Sequence, residues 1–297
     1  MYNKIKINHE TPFCMMKEMQ NYTEYDYALV HLFDTNQEYL QFFKDALKNG
    51  RQVLLDNSVF ELEEPFNPDK FVEAINDLNP TWYIVPDFLD NKNETINSMK
   101  NWIKNYLPKV KTSSKIIGSI QGKNIQELTE CYCFMSQDKN VSKIAITFNS
   151  MAYNEICPDL IQEEINEENK EDINKRDLQI WMEGRQRFIT KLVVDGYWNN
   201  EKTHHLLGCG YMREFNYPLY HRISIETLDT SNPTIYGLNN LKYDKVLGNT
   251  QKPKMKLCDH LNDKLTEKQK KLIRYNVKTF RKIVNDYPSN NLDTRDI

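Results

Sequence analysis

The segment YALVHLFDTNQEYLQFFKDALKNGRQVLLD (27–56) decides the fold, because two apolar strands flank one helix within it. Residues 27–33 predict a strand, and residues 35–50 predict a helix that ends at Gly50, since glycine commonly follows the last helical residue. Residues 52–56 predict a second strand. Short apolar strands that alternate with helices are typical of a parallel sheet covered by helices. The segment therefore predicts an α/β fold.

The same alternation extends along the rest of the chain. Further strands are predicted at WYIVPD (82–87), KIIGSIQG (115–122), SKIAITF (142–148), HHLLGCG (204–210) and RISIETLD (222–229). Helices are predicted at 67–78, 93–107, 124–136, 178–196 and 266–287. The last helix begins with Thr266 and Gln269 at the spacing of a capping box. TIYGL (234–238) is a candidate for a short last strand.

No linker or internal repeat divides the chain, so we predict one domain over residues 1–297. No Gly-x-Gly-x-x-Gly motif and no phosphate-binding loop follows the first strand, which disfavours a dinucleotide-binding sheet. A closed barrel of parallel strands fits the alternation and reaches roughly 250 residues as a single domain. We therefore predict a (β/α)8 TIM-type barrel with an acidic insertion and a C-terminal helix.

Charge is unevenly distributed along the chain although the net charge is only −3. Residues 154–177 carry nine acidic side chains against three basic ones, which indicates a solvated acidic insertion. The basic C-terminal segment, 252–287, is either a solvated helix face or a surface that holds phosphates. Any nucleic acid must bind through such local patches, because the chain as a whole has no strongly basic coat.

The cysteine content and the N-terminus indicate a cytoplasmic protein. The six cysteines show no secretory context, because the N-terminal residues are polar, and large cytosolic chains usually keep their thiols reduced. No stretch approaches 18 apolar residues, so we expect no membrane span and no membrane partner.

Polar residues collect where the predicted strands end. They are Asp56, Asn57 and Ser58, then Asp87, Gln121 and Gly122, and finally Gly208, Gly210 and Asp229. In a barrel, these ends share one face, which carries the active site. Two carboxylates there suit an enzyme of the glycosidic bond, with one as nucleophile and the other as proton shuttle. Binding of a divalent metal, and simple capping of the next helices, remain open.

Several of these segments resemble, in order over residues 53–233, motifs of the tRNA-guanine transglycosylase superfamily. VLLDNSVFEL (53–62) resembles a strand that ends in Asp-Ser-Gly-Gly-Phe-Gln, and ISIETLDTSNP (223–233) lies where the family carries its nucleophile. The other segments are WYIVPDFLDN (82–91), IIGSIQG (116–122) and HLLGCGYMREF (205–215). The matching residues are Asp56, Phe60, Asp87, Gln121, Gly122, Gly208, Gly210 and Asp229.

The chain also departs from the family pattern. Asn57, Ser58 and Val59 stand where the family has Ser-Gly-Gly. The zinc motif is incomplete, because only Cys258 and His260 appear in its region and a structural zinc site needs four ligands. We therefore expect no metal and no other cofactor. These departures resemble the DNA-directed branch, found in bacteria and phages, that inserts 7-deazaguanines into DNA.

The resemblance implies a pentosyltransferase that exchanges guanine for a 7-deazaguanine by a retaining double displacement. Asp229 would attack the sugar and Asp56 would move the proton, while Asp87, Gln121 and the backbone at Gly210 would read the base. Asn57, Ser58 and Phe60 would shape the base pocket, with Phe60, Phe88 and Tyr211 as stacking candidates. The implied partners are the free base and a nucleic acid, DNA rather than tRNA, in the host cytoplasm if the gene is carried by a phage.

The surroundings of the two catalytic candidates differ. We expect the apolar neighbours of Asp56 to raise its pKa, and Thr230 or Ser231 to hold Asp229 ionised by a hydrogen bond.

Three other functions remain open. They are base exchange or N-glycoside cleavage on a free nucleoside or nucleotide, nucleic-acid binding by a non-catalytic barrel subunit, and metal-dependent hydrolysis. The presence of both Asp56 and Asp229 argues against the second, and the lack of His-x-His and His-Glu-x-x-His argues against the third. The oligomeric state is open.

Overall fold

The computed structural model describes residues 4–161, 170–249 and 251–290. Eight parallel strands form a nearly closed barrel with interleaved helices, so the predicted TIM-type fold is confirmed. The strands are β1 (Lys6–His9), β2 (Asp26–Leu29), β3 (Val53–Asp56), β4 (Trp82–Ile84), β5 (Lys115–Ser119), β6 (Val141–Thr147), β7 (Thr203–Leu207) and β8 (Ile225–Thr230). They lie in the order β1, β8, β7, β6, β5, β4, β3, β2.

The barrel closes at a seam between β1 and β2. Each of these strands pairs with its other neighbour, β1 with β8 and β2 with β3. Side chains cross the seam: the Asn8 amide donates to the Tyr25 carbonyl at 2.9 Å, and Glu24 accepts from the Ile7 N–H at 2.9 Å. These bonds satisfy buried polar groups at the place where a regular ladder would otherwise do so.

The eighth strand is not the one that the sequence suggested. TIYGL (234–238) lies in a helix, Asn232–Leu238, with Pro233 in its first turn. The missing strand is Lys6–His9 near the N-terminus, which pairs with β8. The helix is favoured because Ile235 and Leu238 pack against the C-terminal helix, whereas the short stretch KINH is too polar to be recognised as a strand.

Eleven α-helices surround the barrel within the described ranges. They are α1 (Phe13–Met19), α2 (Gln37–Lys48), α3 (Val59–Leu62), α4 (Pro68–Leu78), α5 (Lys92–Asn101), α6 (Ile125–Gln137), α7 (Tyr153–Ile156), α8 (Pro158–Ile161), α9 (Lys170–Val194), α10 (Asn232–Leu238) and α11 (Glu267–Asn290). The described part of the acidic segment 154–177 is mostly helical, and residues 162–169 of it lie outside the described residues. No described helix has both the length and the apolar character to cross a membrane.

Local signals set several boundaries. The capping box of α11 is confirmed, because the Thr266 and Gln269 side chains bond each other's backbone N–H groups at 3.2 and 3.0 Å. The predicted strand 27–33 ends early, at Leu29, and continues as a 3₁₀ turn, Val30–Leu32.

Apolar side chains occupy much of the inside of the barrel. The cluster consists of Tyr25, Leu54, Trp82, Ile84, Ile117 and Ala145, with Tyr27 and Leu207 packed against it. A larger apolar layer lies between the sheet and the helices. Because the interior is packed, a ligand that binds to the barrel itself finds its space at the strand ends, as is usual for this fold.

A fully buried ion pair holds the strand ends in place. Arg185 of α9 donates to both carboxylate oxygens of Glu214, at 2.6 and 2.8 Å. The same guanidinium donates to the carbonyls of Ile146, Leu207 and Gly208, at 3.2, 3.0 and 2.9 Å. It therefore satisfies backbone groups at the carboxyl ends of β6 and β7.

We expect Arg185→Met to lower the free energy of unfolding by about 3–5 kcal/mol, because it leaves a buried carboxylate and three carbonyls without their donor. Arg187, two residues further along α9, is the matched control. It pairs with Asp159 and Glu183 at a half-exposed position, so Arg187→Met should cost less than about 1 kcal/mol. Urea unfolding measures both, and equal losses would contradict the assignment.

Candidate active site

A cavity of about 300 Å³ opens at the carboxyl ends of the strands. The predicted residues that line it are Asp56, Asn57, Phe60, Asp87, Gln121, Gly208, Gly210 and Asp229. Ser58 and Gly122 are buried and lie outside the lining. The fold therefore brings residues from β3, β4, β5, β7 and β8 to one mouth.

Asp56 ends β3 and is almost fully buried, at 8% exposure. The Ser58 N–H donates to its Oδ2 at 2.8 Å. Burial raises the pKa of Asp56 well above its ordinary value, and the nearby Glu61 carboxylate raises it further. The direction agrees with the expectation from its apolar neighbours. This direction of the pKa shift is the one that suits a proton-transferring acid.

Asp229 lies across the cavity on β8, and its Oδ1 is held from below. The Gly208 N–H donates to this oxygen at 3.1 Å. His205 Nε2 also lies 3.1 Å away, close enough for attraction but bent from hydrogen-bond alignment. The expectation for Thr230 was wrong, because its hydroxyl donates to the Cys209 carbonyl at 2.9 Å instead. The sequence could not predict the hydrogen bond from the Gly208 N–H to Asp229, because Gly208 follows a different strand, β7.

Asp87 follows β4 and is clamped by two amide side chains. Asn57 donates to its Oδ1 and Gln121 to its Oδ2, each at 2.7 Å. Asn57 also accepts from the Val59 N–H, and Gln121 accepts from the Asp90 N–H. Burial raises the pKa of Asp87, while the Gln121 and Asn57 hydrogen bonds oppose that rise. Both amides therefore orient the carboxylate, which keeps further lone pairs for a ligand.

Backbone conformation or tight packing explains why glycine occupies three positions in or near the site. Gly208 adopts φ +67°, a left-handed conformation that glycine tolerates best. At Gly210 a Cβ would lie 2.6 Å from Phe148, and at Gly122 a Cβ would lie 2.7 Å from the Leu128 backbone. Gly122 therefore lets β5 approach α6 closely and does not contact the cavity.

Aromatic side chains border the cavity, but not all are the expected ones. Phe60 lies at the rim and is 50% exposed, which leaves its ring available for stacking. Phe148 and Trp181 line the same cavity, and both were missed in the sequence. Tyr211 instead packs into the cluster behind Phe148.

Charged residues outside the predicted set of site residues also line the cavity. Glu10, just after β1, and Glu61 in α3 add two carboxylates to the lining. Burial is the main cause of the raised pKa of each, and Asp229 raises both further. Lys252 brings a cation to the same wall, and burial lowers its pKa. These residues lie in segments that resemble no motif, so only their position in the fold reveals them.

The described residues contain no group of three or more His, Cys, Asp or Glu side chains arranged to hold a metal ion. His260 Nδ1 lies 2.8 Å from Asp263, and the Cys258 thiol lies 3.8 Å from Asp259. All six cysteines are free.

Comparison with known proteins leaves the chain without an assigned family. No protein-family model matches it, and no curated protein matches it significantly.

We expect Asp56→Asn to stabilise the protein at neutral pH, because the raised pKa means that the folded state disfavours the ionised carboxylate. The gain should be full above the folded pKa and should vanish as the pH falls below about 4, where aspartate is protonated in both states. Asp244→Asn is the control. Its carboxylate accepts backbone N–H bonds that lower its pKa, so this variant should be destabilising. Thermal unfolding between pH 4 and 8 tests both; no pH-dependent gain for Asp56→Asn would contradict the assignment.

Proposed function

We propose that the protein is a base-exchanging pentosyltransferase, which replaces guanine with a 7-deazaguanine in a nucleic acid. The observation that carries the proposal is that Asp56 and Asp229 face one cavity from different strands and in different environments. Asp56 is stabilised in its protonated form by burial, and Asp229 accepts the Gly208 N–H. A retaining double displacement needs such a division between acid and nucleophile.

The proposed reaction proceeds in two steps. Asp229 attacks the sugar C1′ while the bond from C1′ to the base breaks, and Asp56 protonates the departing guanine. The incoming deazaguanine then gives a proton to Asp56 and displaces Asp229 from C1′, which restores the original configuration. The reaction needs no metal or redox group, in keeping with the resemblance to the tRNA-guanine transglycosylase superfamily.

The Asp87 clamp supports guanine as the base. A carboxylate held by Asn57 and Gln121 can still accept two parallel bonds from the guanine N1–H and amino group. The rings of Phe60, Phe148 and Trp181 at the cavity provide apolar surface for the base. A purine whose facing edge carries only hydrogen-bond acceptors would offer Asp87 no hydrogen to accept.

DNA is the acceptor that we propose, and a target base within a duplex would have to flip out of the stack. The exposed Phe60 ring at the rim, together with Lys252 and Lys256 in the lining of the same cavity, fits a polymer with a phosphate backbone. The thiols are free, which fits the proposed cytoplasmic location.

A second candidate is base exchange on a free nucleoside or nucleotide. The cavity of about 300 Å³ is near the lower size limit for small-ligand sites, and four of its lining carboxylates, those of Glu10, Asp56, Glu61 and Asp229, would repel a phosphate backbone placed deep inside. Labelled guanine supplied in parallel with DNA, tRNA and free nucleosides separates these functions. Label in DNA supports our proposal, label only in nucleosides favours the second candidate, and no label in any acceptor contradicts both.

Asp229→Asn should abolish any covalent adduct with the nucleic acid, because an amide is a poor nucleophile. Asp56→Asn should slow turnover and still allow an adduct to accumulate. A denaturing gel of each variant with labelled DNA measures the adduct. If Asp229→Asn forms the adduct at the wild-type rate, Asp56 becomes the candidate nucleophile.

Asp87→Asn should weaken guanine exchange by at least about tenfold, because each unpaired donor in a closed pocket costs about 1–3 kcal/mol. Asparagine is preferable to alanine, because its oxygen still accepts from one of the two clamping amides, whereas alanine leaves both Asn57 and Gln121 without an acceptor. Asp90→Asn is the control, since Asp90 contacts Gln121 through its backbone N–H. Exchange kinetics with wild-type efficiency in Asp87→Asn would remove Asp87 from this role.

A further inference from the structure

A chain of polar groups runs through the barrel interior beneath Asp229. Lys143 Nζ lies 3.2 Å from Thr227 Oγ1, and Thr227 Oγ1 lies 3.0 Å from His205 Nδ1. The other ring nitrogen of His205, Nε2, lies 3.1 Å from Asp229 Oδ1. Lys143, Thr227 and His205 are at most 1% exposed, so water does not compete with these contacts.

The chemistry of the four groups favours one direction of the hydrogens. The Lys143 ammonium can only donate, so Thr227 Oγ1 accepts from it, and the Thr227 hydroxyl hydrogen is available to His205 Nδ1. An ionised Asp229 Oδ1 can only accept, so a neutral His205 ring satisfies both neighbours when its hydrogen is on Nε2.

Lys143 is itself fixed, which makes it a reliable start of the chain. Its ammonium lies 3.0 Å from Glu226 Oε2 and 4.2 Å from the centre of the Trp82 ring. Burial alone would raise the pKa of Glu226, but the Lys143 ammonium lowers it to about 2, so this carboxylate stays ionised. An ionised Glu226 in turn keeps a donor hydrogen of Lys143 in place.

His205 is held as a neutral ring by the same surroundings. Burial lowers its pKa, although Asp229 opposes the effect. The Tyr27 ring stacks on it at 6.2 Å and forms part of the cavity floor. The bent contact to Asp229 is typical of active sites before the substrate binds, where such bonds tighten in the complex.

The two N–H groups beneath Asp229 approach the same oxygen. Gly208 and His205 both face Oδ1, whereas Oδ2 has no hydrogen-bond partner within the described ranges. One oxygen is thus anchored and the other is left for the cavity.

We propose that His205 is a positioning residue whose Nε2–H anchors Asp229 Oδ1, so that Oδ2 is the attacking atom; this inference rests on the proposed function. As the bond from Oδ2 to C1′ forms and the bond from C1′ to the base breaks, Asp56 supplies the proton to the base. Oδ1 becomes the carbonyl oxygen of the glycosyl ester and keeps both N–H contacts. His205 retains its proton throughout, so it neither gains nor loses charge.

The first test needs no activity. In protein labelled with ¹⁵N-histidine, NMR distinguishes a protonated ring nitrogen from an unprotonated one. We expect His205 to carry hydrogen on Nε2 alone, and Thr227→Val to remove this preference. Hydrogen on Nδ1, or a doubly protonated ring at neutral pH, would overturn the inference whether or not the protein is a transglycosylase.

The second test uses adduct formation with labelled DNA, or with whichever acceptor takes up label. His205→Leu should form the adduct about tenfold to a hundredfold more slowly, the usual effect of losing a hydrogen bond to a charged group. His205→Gln places an N–H near the position of Nε2 and should recover most of the rate. If His205 had only a structural role and both variants folded, the two variants would form the adduct at the same rate.

His204 provides the matched control. It is the neighbouring residue on β7, equally buried, but it faces the helix layer, where it contacts the Tyr132 hydroxyl and the Trp198 ring. His204→Gln should leave the adduct rate unchanged when thermal unfolding shows that it folds. Adduct formation by His205→Leu at the wild-type rate refutes the inference and leaves the proposed function intact, whereas wild-type protein that forms no adduct and transfers no labelled guanine to any acceptor refutes the proposed function.

Discussion

The buried pair of Arg185 and Glu214 is the interaction on which the geometry of the site depends. The Arg185 guanidinium donates hydrogen bonds to the carbonyls of Leu207 and Gly208, and the N–H of the same Gly208 donates to Asp229. The position of Asp229 is thus set by helix α9 through one glycine. Buried ion pairs often add little net stability, because both charges lose their hydration. In this barrel the pair contributes a fixed arrangement of the strand ends, which apolar side chains cannot provide.

Five carboxylates line the mouth, and three of them are each held by a different means. Asp56 is surrounded by apolar groups and its pKa is raised, Asp229 accepts a backbone N–H, and Asp87 is clamped by two amides. Such crowding opposes stability, since like charges in a poorly hydrated space disfavour ionisation. Burial raises the pKa of Asp56 and of Asp87, and carboxylates perturbed in this way within one cleft are characteristic of functional sites, which is why we favour an enzyme.

Sequence differences from the transglycosylase motif lie in the turn after β3, and the geometry of this turn shows their structural effect. Ser58 stands where the transglycosylase motif that this segment resembles has glycine, and it adopts φ +62°, the left-handed conformation that glycine favours. The turn is thus kept at some cost in strain, and its N–H still reaches Asp56. Asn57 stands where that motif has serine, and its amide side chain holds Asp87. The substitutions are compatible with the proposed chemistry and give the base pocket a different wall.

The sequence by itself determined the alternation of strands and helices, the barrel class, the strand-end carboxylates and the direction of the Asp56 pKa, because these depend on local periodicity and on immediate neighbours. Only the tertiary structure decided that Lys6–His9 is the eighth strand and that TIYGL is helical. It also placed Glu10, Lys252 and His205 around Asp229. These residues come from distant parts of the chain, and their roles arise when barrel closure brings β1 beside β8 and buries the charges together.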